Sequence, residues 1–393
     1  MRRSPVYLIA VLSLLNLANY ADRYLIAPLG PEIQRSLGLN DAQLGLLGSA
    51  FLWGFLAASL VAGFVARKLS RKTLLAVSAA LWMLATCVTG WAAGLLILLA
   101  FRVAVGLGQA LFTTLAPTAI NDSLPQEKLG RALSVFYAAV PIGTALGFIL
   151  GGLLGRAFGW QNAFLVSGLI GLPLILLLIP LKDRQQETKL GSYFRDLAKF
   201  KKAKRYWLTV AGYAAQTFAL GGFAFWSPTY VERRFAMPAT QSGIYMGILL
   251  VAAGFGGAIL GGWMLDKFHD KDRVRAALKV STLATLACIP FAFLTLATTS
   301  IPAFFFALGI VELAVFATFS PINAAFLNCM APALRTTAMG LATFFGRLLG
   351  DLVSLWLVGL LSDSFQDLNK AMYVLPAALV LNLGIWWVAS KEK

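Results

Sequence analysis

Six ionisable side chains, Asp22, Arg23, Arg102, Glu312, Arg347 and Asp351, stand inside long apolar runs. At bilayer depth a charge costs at least ~2.5–3.5 kcal/mol, so each is expected to face a cavity or a partner. Asn16, Asn19, Tyr20 and Arg23 follow the i, i+3, i+4, i+7 spacing of one helical face. Arg102, Gly106, Gln109 and Thr113 make a comparable stripe, with Gly106 leaving room beside two long polar side chains. Such stripes suit a water-accessible pocket, and a buried arginine suits phosphate or carboxylate, which it satisfies through charge-assisted hydrogen bonds. Asp22 is expected to pair with Arg102, while Arg23, about 100° further round the helix, points at substrate near Gln109. Arg347 and Asp351, four residues apart, would neutralise each other. Glu312 has no partner within its own helix. It is either a protonatable carboxylate or the ion-pair partner of Arg347.

The elements that carry these residues are membrane spans. Of 393 residues, 59% are apolar and 13% charged, with mean hydropathy +0.76, unlike any ordinary soluble domain. A crossing helix needs about 20 mainly apolar residues. Twelve such runs are present, at roughly 6–28, 42–66, 73–93, 95–119, 130–155, 161–181, 206–229, 241–265, 276–297, 302–327, 336–361 and 371–389. The expectation is an all-α membrane protein of two six-helix bundles, 1–181 and 206–393, joined by a cytoplasmic linker, 182–205. Tyr193, Phe194, Leu197 and Phe200, set among basic residues, fit either an amphipathic surface helix or a plain flexible linker. The net charge of +16 has a topological explanation, because Lys and Arg concentrate in alternate loops. This predicts a multi-pass protein of the plasma (inner) membrane with both termini cytoplasmic, and gives nucleic acid binding no support. The halves also echo each other: Pro28 and Glu32 match Pro228 and Glu232, and Gln43-Leu44-Gly45 matches Gln241-Ser242-Gly243.

Enzyme chemistry is not expected. The single histidine, His269, lies in a charged loop, and Cys87, Cys288 and Cys329 sit inside apolar runs with no metal-ligand spacing. No nucleophile with a base and no phosphate-binding loop stands at plausible depth. No cofactor or metal is called for, although coupling to H+ is open.

Gly63 to Lys72 at the exit of the second span, and Gly262 to Lys267 at the exit of the eighth, resemble the loop signature of the major facilitator family. That resemblance implies a transporter with its halves around a central cavity, and a cytoplasmic gate drawn from Gly63, Arg67, Arg71, Asp122, Arg131 and Asp266. Arg67 stands where the family places an acid, and Ser70 where it places glycine or asparagine. Asp122 is the expected substitute carboxylate for Arg67 or Arg131, while the second copy keeps its acid, Asp266.

The run Asn19-Tyr20-Ala21-Asp22-Arg23-Tyr24 resembles a signature of spinster-type lipid transporters and of organic anion:cation symporters. Ala116-Pro117-Thr118, Asn121-Asp122, Arg131 to Tyr137, Pro141 to Gly147 and Leu348 to Asp363 are similar to the spinster group. The resemblance implies transport of an amphipathic anion or zwitterion such as a lysophospholipid or sphingoid phosphate. Arg23, Arg102, Gln109, Asn19, Tyr20 and Thr113 would then bind substrate. The alternative is proton-coupled symport of small organic anions such as sugar acids. Both groups commonly carry glutamate where this chain has Gln109, so a proton cannot be coupled there. Coupling would move to Asp22 or Glu312. Two arginines against Asp22 then leave one positive charge in excess, which favours an anionic guest. Phe304, Phe305, Phe306, Phe316 and Phe319 could wall a tail pocket, or face lipid and pack between helices. The partners expected are this anion and the bilayer, with the chain acting as a monomer.

Overall fold

In lipid every backbone N–H and C=O must be satisfied within the segment, which leaves helices as the answer for long apolar runs. The computed structural model describes residues 5–68, 70–180, 200, 203–268, 272–331 and 334–392, and among these it contains no strand. The helices are α1 (Pro5–Tyr24), α2 (Ile26–Leu37), α3 (Asp41–Lys68), α4 (Arg71–Thr89), α5 (Leu95–Asn121), α6 (Gln126–Gly171), α7 (Lys204–Phe235), α8 (Ala239–Lys267), α9 (Arg273–Ala297), α10 (Ile301–Asn328), α11 (Arg335–Gly346), α12 (Leu352–Phe365), α13 (Leu368–Met372) and α14 (Val374–Lys391).

Eleven helical stretches among the described residues are long and apolar enough to cross a bilayer. One of them, Lys128–Leu178, has 51 residues, about 75 Å of helix against a hydrocarbon core of about 30 Å. It breaks at Gly159, whose φ of 78° and ψ of 162° are open to glycine and strained for other residues. The fifth and sixth spans expected from the sequence are therefore two helices that meet at a corner, which brings the total to twelve. Glu32 secures the corner by accepting a hydrogen bond from the Trp160 backbone N–H at 3.2 Å.

Residues Met1–Lys189 and Val231–Gly247 form one compact unit, and Leu190–Tyr230 with Ile248–Lys393 form the other. The segment 231–247, the end of α7 and the start of α8, makes its contacts with the first unit. Its Arg233 donates to both carboxylate oxygens of Asp41, at 2.7 and 2.6 Å, and to Gln34 at 2.9 Å. Thr240 Oγ1 donates to the Gly152 carbonyl at 3.0 Å. Apart from Phe200 and 203–205, the expected linker lies outside the described residues, and with it the amphipathic-helix reading.

Within the first unit α3 packs on α5, α1 on α6 and α4 on α5; within the second α9 packs on α10 and α14. The α3–α5 contact is unusually close. A Cβ added at Gly106 would lie 2.0 Å from the Phe51 carbonyl oxygen, and one at Gly54 would lie 2.0 Å from that of Val103. Gly106 is thus not spare room beside the polar stripe. It is the point where the two backbones touch.

In the second unit α11 passes into α12 through one π turn, Arg347–Asp351, where the Leu352 N–H reaches the Arg347 carbonyl. Thr217 donates its hydroxyl to the Gly346 carbonyl at the start of that turn, at 2.8 Å. An aromatic cluster packs in this unit, with Tyr206 against Phe200, Trp207 and Phe326.

Candidate functional site

The polar stripes of α1 and α5 meet. Arg23 Nε donates to Gln109 Oε1 at 3.2 Å, and Gln109 Nε2 donates to the Asn19 backbone carbonyl at 3.0 Å. The glutamine amide is therefore used at both ends, accepting from a guanidinium and donating to a carbonyl. A carboxylate could do the first and not the second. Asn16 Nδ2 donates to the Phe136 carbonyl on α6 at 3.0 Å. Neither Asn19 Nδ2 nor Asn19 Oδ1 has a hydrogen-bond partner in the described structure, although the residue is fully buried.

The rings that surround the guanidinium groups come from Tyr20 of α1 and from Phe51 and Phe55 of α3, at its close contact with α5. Arg23 Cζ lies 4.6 Å from the Tyr20 ring centroid, 4.7 Å from Phe51 and 5.0 Å from Phe55, while Arg102 Cζ lies 5.3 Å from Phe51. Aromatic faces attract cations, and more strongly when water is excluded. Arg102 is 3% exposed and Arg23 is 7% exposed. Nothing in the sequence singles out Phe51 and Phe55, because aromatic residues four apart in an apolar helix read as lipid-facing or core residues.

Asp22 does not form a contact ion pair with Arg102. Its Oδ1 accepts a short hydrogen bond from Ser167 Oγ on α6, and Trp82 and Arg102 are its other electrostatic neighbours. Arg102 feels Asp22 and Arg23 at longer range, and its Nε is buried with no hydrogen-bond partner. The expected pair is thus an electrostatic proximity within one cluster, and the carboxylate is held by a hydroxyl on the sixth span. Ser167 could have been suspected as an isolated hydroxyl in the run Phe164-Leu165-Val166-Ser167-Gly168-Leu169. Thr113 is turned back on its own helix, donating to the Gln109 carbonyl at 2.9 Å.

The second unit holds a sparser polar set. Glu312 on α10 is 5% exposed, its Oε2 has no hydrogen-bond partner, and it makes no ion pair among the described residues. Pairing with Arg347 is therefore absent; Arg347 instead approaches Asp351 at 3.4 Å. One turn from Glu312, Gln216 Nε2 donates to the Val315 carbonyl at 3.0 Å and to Thr318 Oγ1. Phe304 is buried in a stack on Tyr230, whereas Phe306 is exposed, so the phenylalanines of α10 do not line one surface.

At the expected cytoplasmic gate, Asp122 pairs with the buried Arg71 at 2.7 Å. Ser70 caps α4, its hydroxyl accepting from the Thr73 N–H at 3.2 Å, which accounts for a serine at that position. Arg131 is exposed on α6. The Arg67 side chain and the surroundings of Gly63 lie outside the described residues. In the second copy Asp266 is exposed and makes no ion pair among the described residues. Asp272, a few residues on, caps α9 and pairs with Arg205 at 2.7 Å. Burial pushes the Asp272 carboxyl up, but the Arg205 hydrogen bond and the Arg275 and Val274 N–H donors outweigh it and hold it below the usual carboxylate range.

The sequence and the fold have counterparts in known proteins. The profile of the Major Facilitator Superfamily matches residues 12–355. Protein spinster homolog 3 of Danio rerio is 32% identical over 395 residues, covering 94% of this chain and 78% of the relative. A probable sphingolipid transporter of Arabidopsis thaliana, spinster homolog 3, is 28% identical over 442 residues, covering 98% and 84%. A sphingosine-1-phosphate transporter of Mus musculus is 28% identical over 421 residues, covering 97% and 76%. Among solved structures, a bacterial homolog of the human lysosomal transporter Spinster superposes with TM-score 0.88 over 100% of this chain and 98% of that one, at 20% identity. The chain belongs to the Major Facilitator Superfamily, in its spinster branch, and is a multi-pass membrane transporter rather than an enzyme.

Proposed function

We propose that the protein moves an amphipathic anion of the lysophospholipid or sphingoid-phosphate type across the membrane by alternating access, with Arg23 and Arg102 receiving the head group. The observation that carries this reading is Arg102, buried beside an aromatic ring with no carboxylate in contact, next to a second buried guanidinium. A phosphate would supply the acceptors that Arg102 lacks. The sphingolipid and sphingosine-1-phosphate relatives support a lipid substrate over a small sugar acid. Asn19, with both side-chain polar atoms unpartnered, would add a neutral contact, and Tyr20 and Gln109 would orient Arg23. Thr113 would contribute through its helix position rather than its hydroxyl. The chain would act as a monomer in the plasma (inner) membrane with both termini cytoplasmic, and Arg71 with Asp122 would serve at the inner gate.

Proteoliposome uptake tests the substrate. A fluorescent sphingoid phosphate should accumulate well above protein-free vesicles; labelled hexonate uptake with no lipid signal would overturn the lipid reading.

Coupling to H+, if the transporter uses it, falls to Asp22 or Glu312, because Gln109 carries no titratable proton. Gln109→Glu is therefore expected to introduce a pH dependence of transport between about pH 5 and 8 that wild type lacks at this position, and the new carboxylate, once charged, would oppose the Asn19 carbonyl. Identical pH–rate profiles for the two proteins would contradict this assignment.

A further inference from the structure

We propose that a recess between the start of α9 and the end of α14 binds the head group of an anionic phospholipid. The recess has a volume of about 530 Å³ and lies wholly within the second unit, away from the arginines of α1 and α5. Arg275 and Lys279, one turn apart on α9, line it from one side, and Lys391 near the chain end lines it from the other. Three cations thus face one small volume, with no carboxylate among the described lining residues. Among the described acids nearby, Asp272 caps α9 and pairs with Arg205, and Glu392 pairs with Lys204 at 3.0 Å. Arg275 Nε is buried without a hydrogen-bond partner, a donor that a phosphate oxygen would satisfy.

The apolar part of the lining suits a lipid rather than a free anion. Trp387, 53% exposed, carries the Lys391 ammonium 3.2 Å from its ring centroid, and Leu283 and Phe268 are exposed beside it. Aromatic residues gather at the level of lipid head groups, and basic pockets between spans recognise anionic head groups on the cytoplasmic side. The recess lies at the end of the helices where the C-terminus emerges. Its assignment to the cytoplasmic leaflet rests on the proposed orientation; its chemistry does not.

The full chain, purified in neutral detergent, can be titrated with short-chain phosphatidylglycerol, phosphatidylcholine or inorganic phosphate while its melting temperature is followed. Phosphatidylglycerol should give a saturable rise that the other two do not give at the same concentration. Lys279→Gln with Lys391→Gln, both at exposed positions, should weaken that response at least about tenfold, and Arg275→Gln should do the same. Arg23→Ala should retain it. A response that phosphatidylcholine or inorganic phosphate reproduces, or that survives the recess substitutions, would overturn the proposal. If the response vanishes in Arg23→Ala and persists in the recess variants, the lipid is occupying the transport site instead, which sinks this inference while supporting the proposed function.

Discussion

Arg23→Ala should reduce sphingoid-phosphate transport by at least about tenfold while the protein still folds, because a charge-assisted hydrogen bond contributes about 1.5–3 kcal/mol. The side chain donates to Gln109 and lies among the rings of Tyr20, Phe51 and Phe55, so alanine leaves behind neutral groups that can repack. Arg23→Lys should recover little of the loss: an ammonium keeps the charge but has neither the planar fork for phosphate nor the flat face for three rings. Initial uptake rates in proteoliposomes, normalised to folded protein by melting temperature, measure both. Equal rates for wild type and Arg23→Ala would remove this residue from the site. Arg102→Ala is a poorer test, since it also strips Asp22 of its compensating charge and confounds binding with stability.

The second large effect concerns the backbone rather than a charge. Gly106→Leu should abolish accumulation of folded protein, and Gly106→Ala should lower both stability and transport, since overpacking typically costs about 1–3 kcal/mol and here the obstacle is a main-chain oxygen. The added Cβ would meet the Phe51 carbonyl at 2.0 Å, so α3 and α5 must separate, and Phe51 would then leave both guanidinium groups. Gly340→Ala is the matched control, with nothing within 4 Å of its Cβ. Melting temperatures of the pair decide the matter: similar values for Gly106→Ala and Gly340→Ala would show that α3 and α5 can give way freely.

What was legible in the sequence follows from what is local. Apolar runs of about 20 residues mark spans because lipid admits few alternatives. The i, i+3, i+4, i+7 spacing put Asn19 with Arg23, and Arg102 with Gln109, each on one face, and the fold turns those faces together. The partner of Asp22 could not be read in the same way. Whether it meets Arg102 or Ser167 depends on the rotation of α1 against α6, and that rotation is set by three glycines of α6, Gly143, Gly147 and Gly151, lying on the backbone of α1 at Leu17 and Ala21 and, just beyond its end, at Leu25. Close approach of this kind leaves no periodicity of charge or hydropathy. Asp122 pairs with Arg71, which the sequence does not single out beside Arg67 and Arg131, since several basic residues near one helix end are equivalent until loop geometry selects among them. Asp272 is missed when residues are chosen by motif position, although an aspartate directly ahead of a helical run is itself a cap signal. The boundary between the fifth and sixth spans was legible, since the expected runs 130–155 and 161–181 bracket Gly159, while the tightness of the corner there was not.

The central claim is that the buried arginines of the first unit bind an anionic head group. Equilibrium binding of a sphingoid phosphate and of its unphosphorylated parent base to purified wild type and Arg23→Ala, read by thermal shift, tests it most directly. The account predicts that the phosphate binds wild type at least about tenfold more tightly than the parent base does, and that this preference collapses in the variant. A preference for the unphosphorylated base, or one that Arg23→Ala leaves intact, would contradict it.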